Sequence, residues 1–505
     1  MRTLLLFILL LFCTVLGIAK QGGYPSGVEA VLKKAGKNRA ELEKAISYCK
    51  KTKNPLKLKA IYFLIANMDI HYSQYYYWVD SQGKNVAFDE LSYPDFEVAS
   101  ASLKEIKRKN PGMHPVTRVT RDIDCIKADF LITNLESAFK AWKNLWAKNI
   151  PFADFCEYIL PYRVSVEPLQ DWREKYSNKF RWFANVSKTK GMNTALSYVS
   201  ADYSNWFKVS LTERSEPLPR LGALQLLSRK TGPCEDMADL TAFTLRSQGV
   251  PVSVNIVPYW ATSTGSHFLN SVFDGQMHLI PIDVSGHTMV NNKLGREPAK
   301  VIRVTYAKQP GTLASLFDKI NIPEGFMRTT NYVDITNQYW ETANVTCDIN
   351  PRIKLQLIFA CVFNGLHWKP VWWGNNQNHT VTFNSMCKGA VFLPACYILG
   401  HIVPAGQCVA VGYHNSHVLK PDTLRKRTVI ITEEDKYLQF QPGKTYQLYY
   451  WDKTWKKCGL KFADYTHKLT FNDVPNDALM LLMPQYSTGK ERPFTITNDG
   501  RREWW

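Results

Sequence analysis

The chain predicts an α+β multidomain fold, with an N-terminal helical region, a central α+β core and C-terminal β-sandwich modules. Three observations carry that expectation. The 505 residues are enough for about three domains at roughly 150 residues each. Apolar residues recur at helical spacing from residue 28 to 210 and at a period of two from residue 345. The composition, 45% hydrophobic and 21% charged with 27 Gly and 26 Pro, is that of a chain that buries cores, which excludes disorder, collagen and coiled coil as the main state.

Taken in order, Arg2, the apolar run 4–12 continued by 13–18, and the small residues Gly17 and Ala19 have the layout of a secretory signal peptide over 1–19. The run is too short to span a bilayer. Bulky Phe12 before Cys13 argues against lipid attachment, which needs a small residue there. An exported protein, periplasmic, at the cell surface or secreted, is the expectation.

Helical stripes follow in a region set at 20–210. Leu42, Ala45, Ile46 and Cys49 form one, broken at Asn54 and Pro55, and Leu131, Leu135, Ala138, Trp142 and Leu145 form another. The N-terminal third therefore reads as an all-α layer. Tyr75, Tyr76, Tyr77 and Trp78 are either core at a helix end or the lining of a groove. A core is expected at 211–340, a β-sandwich module at 341–422 and a second β module at 423–505, with the seam at Pro421 and Asp422. Ile353, Leu355 and Leu357 alternate with polar residues, and strand-like runs lie at 381–383, 391–393, 428–431, 446–450 and 469–471.

The net charge is +18, from 62 Lys+Arg against 44 Asp+Glu, a field that favours acidic partners such as an acidic glycan. Export removes nucleic acid from that group. Loss of Arg2 with the leader leaves +17. The Lys-rich stretches near 50–59 and 104–109 read as solvated helix faces. Ten cysteines remain after the leader, some able to pair in an exported chain but too few for a disulfide scaffold. No Cys/His spacing fits zinc, His414 and His417 being an isolated pair, so no metal and no cofactor is expected. Gly443-Lys444-Thr445 mimics the end of a phosphate loop but lacks the first Gly and the following helix.

The segment that carries chemistry lies at 231–283. Gly232 and Pro233 mark a helix start, and Gly249 with Pro251 marks its stop. Cys234 falls in the first turn, where unpaired N–H groups and the dipole favour a thiolate. Glu235 and Asp236 oppose that effect, so a cation is needed beside them. A strand from 252 to 259 precedes the Gly265-Ser266 turn. Two apolar strands then flank Asp274-Gly275, a hairpin signal. His267 starts one strand and Asp283 ends the other. A two-residue turn puts Ile282 opposite His267, and Asp283 comes alongside only with a bulge or a longer loop. Should they meet, Asp283 orients His267, the imidazolium stabilises the Cys234 thiolate, and the helix start binds an oxyanion.

Gly232-Pro-Cys234, the helix ending Gly249-Val-Pro251, Gly265-Ser-His267 and Pro281-Ile-Asp283 resemble the transglutaminase-like superfamily, with its papain-like cysteine fold. That resemblance covers about a tenth of the chain and implies Cys234, His267 and Asp283 as the catalytic set. It also implies an aromatic residue after the His, a role for Phe268, and an upstream indole near the oxyanion, a role for Trp172 or Trp206. The segment 162–173 and the closing Trp504-Trp505 resemble large secreted transglutaminase-like proteins of Gram-negative anaerobes. His278 and His287 are competing bases without the turn-then-strand context. Trp368, Trp372 and Trp373 read as core or seam ahead of a sugar platform. The expected function is thiol-dependent acyl transfer at an amide of a peptide, a glutamine side chain or a glycosyl-asparagine, on a protein, peptide or glycoprotein substrate. Hydrolysis is favoured over crosslinking, because crosslinking needs a site that excludes water. The alternative is a non-catalytic glycan- or peptide-binding protein on the same fold.

Overall fold

A computed structural model describes residues 23–210, 220–283, 288–289, 294–434, 438–497 and 499–505. The leader at 1–19 and His287 lie outside them. The fold is mixed helix and antiparallel sheet.

Helices Ser26–Lys34, Arg39–Lys51 and Pro55–Ala66 open the chain. The Asn54 side chain accepts from the N–H groups of Leu56 and Lys57, with Pro55 at the first position, so the predicted break is also the next helix's start. Leu42, Ala45, Ile46 and Cys49 are all buried. In helix Ala128–Trp142 the stripe Leu131, Leu135 and Ala138 is buried, but the helix stops at Trp142 and Leu145 beyond it is 62% exposed.

The N-terminal third is not all helical. Strand Tyr72–Val79 lies between Asn85–Val86 and His114–Arg121 in a three-stranded antiparallel sheet, Tyr72 opposite Arg121 and Val79 opposite His114. Aromatic residues on both faces of Tyr72–Val79 erase the alternation that marks a strand, although their β-propensity is high.

The central layer is a six-stranded antiparallel sheet in the order Tyr332–Asp334, Ile302–Val304, Val252–Val257, His267–Phe273, Leu279–Asp283 and Thr288–Met289. Helix Cys234–Ser247 packs on it and is buried on every face from Asp236 onward. The reason is a sandwich: Asn270 of the sheet donates to the Ala238 carbonyl, and Trp172 packs edge-on and Tyr176 tilted against Phe243 from the other side. Gly249 (φ +76°) ends this helix where a Cβ would lie 2.2 Å from the Ala141 carbonyl oxygen.

Past residue 341 the described chain is mostly strand, gathered around separate apolar clusters. One sheet runs His367–Asn375, Leu357–Asn364, Ala390–Ile398, Cys408–Val411 and Ser416–Leu419. Another runs Thr454–Phe462, Thr445–Asp452, Met480–Pro484, Phe494–Ile496 and Arg502–Trp504. A strand beginning at Asp422 leads into the latter part. The alternation at Ile353 and Leu355 is not strand, which begins only at Leu357, and Leu355 is exposed. Trp368 packs edge-on against Trp451, and Lys300 sits 4.2 Å over Trp372, so these indoles join layers. All ten cysteines among the described residues are free thiols. Among those residues no helix is long and apolar enough to cross a membrane, and no cluster of His, Cys, Asp and Glu could hold a metal ion.

Candidate active site

Pro233 occupies the cap position and Cys234 is the first residue of its helix, one place later than the glycine cap predicts. The N–H groups of Cys234 and Glu235 therefore open the helix ahead of any helical acceptor. Gly232 is required here for space: a Cβ on it would lie 2.2 Å from Asp236 Oδ2. Cys234 is partly exposed, whereas seven of the other cysteines are buried. Burial pushes the thiols of Cys49 and Cys458 up to about 11 and those of Cys156 and Cys347 to about 12, which keeps them protonated and inert.

The cation demanded by Glu235 is Arg220. Its Nη1 lies 3.1 Å from Glu235 Oε2 and its Nη2 donates to Asp239 Oδ1 at 2.9 Å, one guanidinium bracing two carboxylates a turn apart on the cysteine helix. Phe268, next to His267 and so on the opposite face of the strand, stacks at 5.0 Å from this guanidinium.

The hairpin resolves the open register. Five residues, 274–278, join the strands, and Asn270 pairs with Ile282, three places from what a two-residue turn gives. Asp274 Oδ1 accepts from the N–H groups of Gln276 and His278, and Met277, not Gly275, takes the positive φ of 64°. Gly275 instead lets the turn approach the Trp146 carbonyl, 2.7 Å from where its Cβ would be. Extending this register sets Asp283 opposite Leu269, on the same face as His267 and diagonal to it, within reach of long side chains.

The diagonal closes as a hydrogen bond: His267 Nε2 is 2.9 Å from Asp283 Oδ2. Burial would lower the His267 pKa, but hydrogen bonds and charge from Asp283 and Cys234 outweigh it and raise it to about 9. With Nε2 committed to Asp283, Nδ1 is the ring nitrogen left for Cys234. Cys234, His267 and Asp283 thus form one chain of contacts.

Two neighbours are not visible in the sequence pattern. Trp260 stacks on the His267 ring with centroids 5.7 Å apart and planes at 26°. The buried Asn364, at the end of strand Leu357–Asn364, reaches into the loop 260–265 that leads to His267. Its Nδ2 lies 3.0, 2.8 and 3.1 Å from the carbonyl oxygens of Trp260, Ser263 and Gly265, and its Oδ1 accepts from Gly265 N–H at 3.2 Å. Trp260 stands seven residues before His267, a spacing without a rule behind it, and Asn364 arrives only through tertiary structure.

The two indoles are elsewhere. Trp172 is buried in the helical core with Nε1 donating to the Tyr162 carbonyl at 2.9 Å, and Trp206 donates to Asp202 at 2.8 Å beneath the Lys179 ammonium. Neither N–H is available to an oxyanion, because each already has an acceptor. His278 is exposed in the hairpin loop, bonded to Asp274.

No family model matches the chain, and no curated protein matches it. Among 27 matching chains of solved structures is a candidate cysteine protease from Cytophaga hutchinsonii, 15% identical at a TM-score of 0.17. The match covers 22% of this chain and 36% of that one, about a third of its length. The resemblance to the transglutaminase-like superfamily therefore rests on the residues themselves.

Proposed function

We propose that this chain is an exported, thiol-dependent enzyme that transfers the acyl group of an amide, with water as the favoured acceptor. Cys234 Sγ attacks the amide carbonyl carbon, and the oxyanion that forms is held by the N–H groups of Cys234 and Glu235. His267 gives its proton to the departing nitrogen as the C–N bond breaks, leaving a thioester on Cys234. Water then attacks the thioester, giving its proton to His267; the C–S bond breaks, and acid and free thiol are restored. Asp283 keeps Nε2 occupied so that Nδ1 serves Cys234. Peptides, glutamine side chains and glycosyl-asparagine amides are the substrate classes this chemistry admits.

The single observation that supports the reading is the position of His267, in contact with both Cys234 and Asp283. The test is iodoacetamide labelling from about pH 5 to about pH 9, with peptide mapping of the modified cysteine. Selective labelling of Cys234 over the other cysteines is expected, lost in His267→Ala. A Cys234→Ala variant should lose at least about 10³-fold in turnover on whichever amide is found while melting normally. Labelling no faster at Cys234 than at Cys125 or Cys458 would sink the assignment.

A further inference from the structure

The three-stranded sheet of the N-terminal region takes no part in the candidate active site, and one side of it is open. Strand His114–Arg121 pairs with Tyr72–Val79 and, among the described residues, has no strand on its other side. The register fixes which backbone groups face that side. In an antiparallel pair, alternate residues turn both N–H and C=O to the partner strand, and the residues between them turn both away. Asp122 N–H donates to the His71 carbonyl at 3.0 Å, one step beyond the pairing of Arg121 with Tyr72, so residues 114, 116, 118 and 120 serve the ladder. The same parity holds on the partner strand, where Gln74 N–H turns away from the ladder to the Val166 carbonyl at 2.8 Å. Pro115, Thr117, Val119 and Arg121 therefore face outward. The strand's proline falls in this set, where its missing N–H takes nothing from the ladder.

The Arg121 carbonyl receives the Cys125 thiol at 3.4 Å. The N–H groups of Thr117 and Val119 and the carbonyls of Pro115, Thr117 and Val119 have no partner among the described residues. Thr117, Arg118 and Val119 are exposed, Val119 to 58%. Protein edges are commonly blunted by a bulge, a proline or a cover. Here the pairing runs without a bulge from Arg121 to His114, and Pro115 closes one position only. The middle of the edge is Thr117 and Val119, β-branched residues that suit a neighbouring strand. Donors and acceptors repeated at every second residue match the backbone of an extended polypeptide.

Charge selects the side chains of that polypeptide. From 104 to 121 the chain carries six Lys and Arg and one acid, Glu105. Glu105 is shared by Arg108 and Lys109, and Arg121 holds Asp124. Arg118, opposite Tyr75 in the middle of the edge, has no acidic partner among the described residues. A second copy of the same edge would set this basic stretch against itself, whereas an acidic strand complements it.

We propose that the outer edge of His114–Arg121 docks an extended acidic segment of another polypeptide, which joins the sheet as a fourth strand with its backbone on Thr117 and Val119 and a carboxylate on Arg118. The site is independent of Cys234 and binds whether or not that thiol reacts.

The test uses the full chain carrying Cys234→Ala, so that binding is read without turnover and independently of the proposed function. A short fluorescein-labelled peptide in which Glu alternates with Val or Thr is titrated, and its anisotropy is followed. Saturation below about 100 μM is expected at low salt, weakening as salt rises, and a counterpart with Lys in place of Glu should bind at least about tenfold more weakly. Val119→Pro removes an outward N–H as Pro115 already does and spares the inner ladder, so binding should weaken about tenfold or more at an unchanged melting temperature. Arg118→Glu should reverse the preference between the two peptides. N-methylation of alternate peptide residues removes the same bonds from the ligand side, and one of the two phases of methylation should abolish binding to the unaltered edge. No saturation by the acidic peptide, or saturation indifferent to both Val119→Pro and methylation, would overturn the proposal. So would a dimer of the parent that Val119→Pro dissociates in sedimentation, which would give the edge to a second copy.

Discussion

His71 in the N-terminal region and His267 at the edge of the central sheet carry the same imidazole to opposite ends of its range. His71 is buried and stacked on Tyr306 at 4.2 Å, with Nε2 donating to the Tyr306 carbonyl at 2.9 Å. Burial pulls its pKa down to about 4, although Asp122 is close enough to oppose the fall. His267 is also largely buried and goes up to about 9. The difference is what each nearby carboxylate is already doing. Asp122 receives Arg163 Nη2 at 2.6 Å, Arg163 Nε at 2.7 Å and the Tyr162 hydroxyl at 2.9 Å, so its charge is spent. Asp283 bonds His267 directly, and Cys234 adds a second hydrogen bond to the same ring. A buried histidine beside a committed carboxylate is held neutral; one beside an available carboxylate becomes a proton reservoir.

The largest expected effect breaks the two carboxylates apart. Asp122→Ala takes from the buried Arg163 guanidinium its nearest carboxylate, leaving only Glu167 at 3.7 Å, and should cost about 3 kcal/mol, read as a lower urea midpoint. The side chains of Asp283 and His267 keep 18% and 17% of their exposure, and Asn still offers an oxygen to His267 Nε2, so Asp283→Asn should cost less than Asp122→Ala, about 1–3 kcal/mol. Its loss should show instead in labelling of Cys234 at neutral pH. The contrast fails if Asp122→Ala melts like the parent or if Asp283→Asn unfolds.

Next in size is the pH dependence of stability, where the two histidines have opposite signs. Between about 4 and 6.5 the unfolded chain binds a proton at residue 71 that the fold refuses, so stability rises with pH. Between 6.5 and about 9 the fold holds a proton on His267 that the unfolded chain releases, so this contribution, full below 6.5, is lost as pH rises through about 9. Urea midpoints measured across this range should show His71→Gln flattening the acid limb and His267→Gln the alkaline limb. Effects on the reversed limbs would refute the assignment of either group.

The cysteine helix and the hairpin were legible because local rules bound them: Pro233 at a helix start, Gly249 at its end, and Asp274-Gly275 between apolar strands. The register was not, because loop length depends on how Asp274 wraps Gln276 and His278, and alternation is silent about that. Strand Tyr72–Val79 was hidden because aromatics occupy both of its faces. Trp172 and Trp206 show the limit of placing an indole by resemblance: their positions follow from core packing, and the indole that does touch the site, Trp260, is fixed by a residue about a hundred positions away in sequence.

That residue, Asn364, gives the smallest and most discriminating prediction. One buried amide fixes three carbonyls and an N–H in loop 260–265, which positions both Trp260 and the strand that begins at His267. Asn364→Asp keeps the size and the acceptor but removes the donor, leaving the loop's carbonyls unsatisfied. Such a loss is worth about 1–3 kcal/mol where the groups stay buried, and a loop next to solvent recovers part of it by moving. Movement of the loop carries Trp260 off the His267 ring and loosens the contacts to Asp283 and Cys234. The alkylation rate of Cys234 should then fall roughly tenfold, and its alkaline limb should shift below the parent's value near 9. A purely structural amide would lower the melting temperature and leave that limb unmoved, so the pH profile, not the stability, decides whether strand Leu357–Asn364 holds the histidine in place.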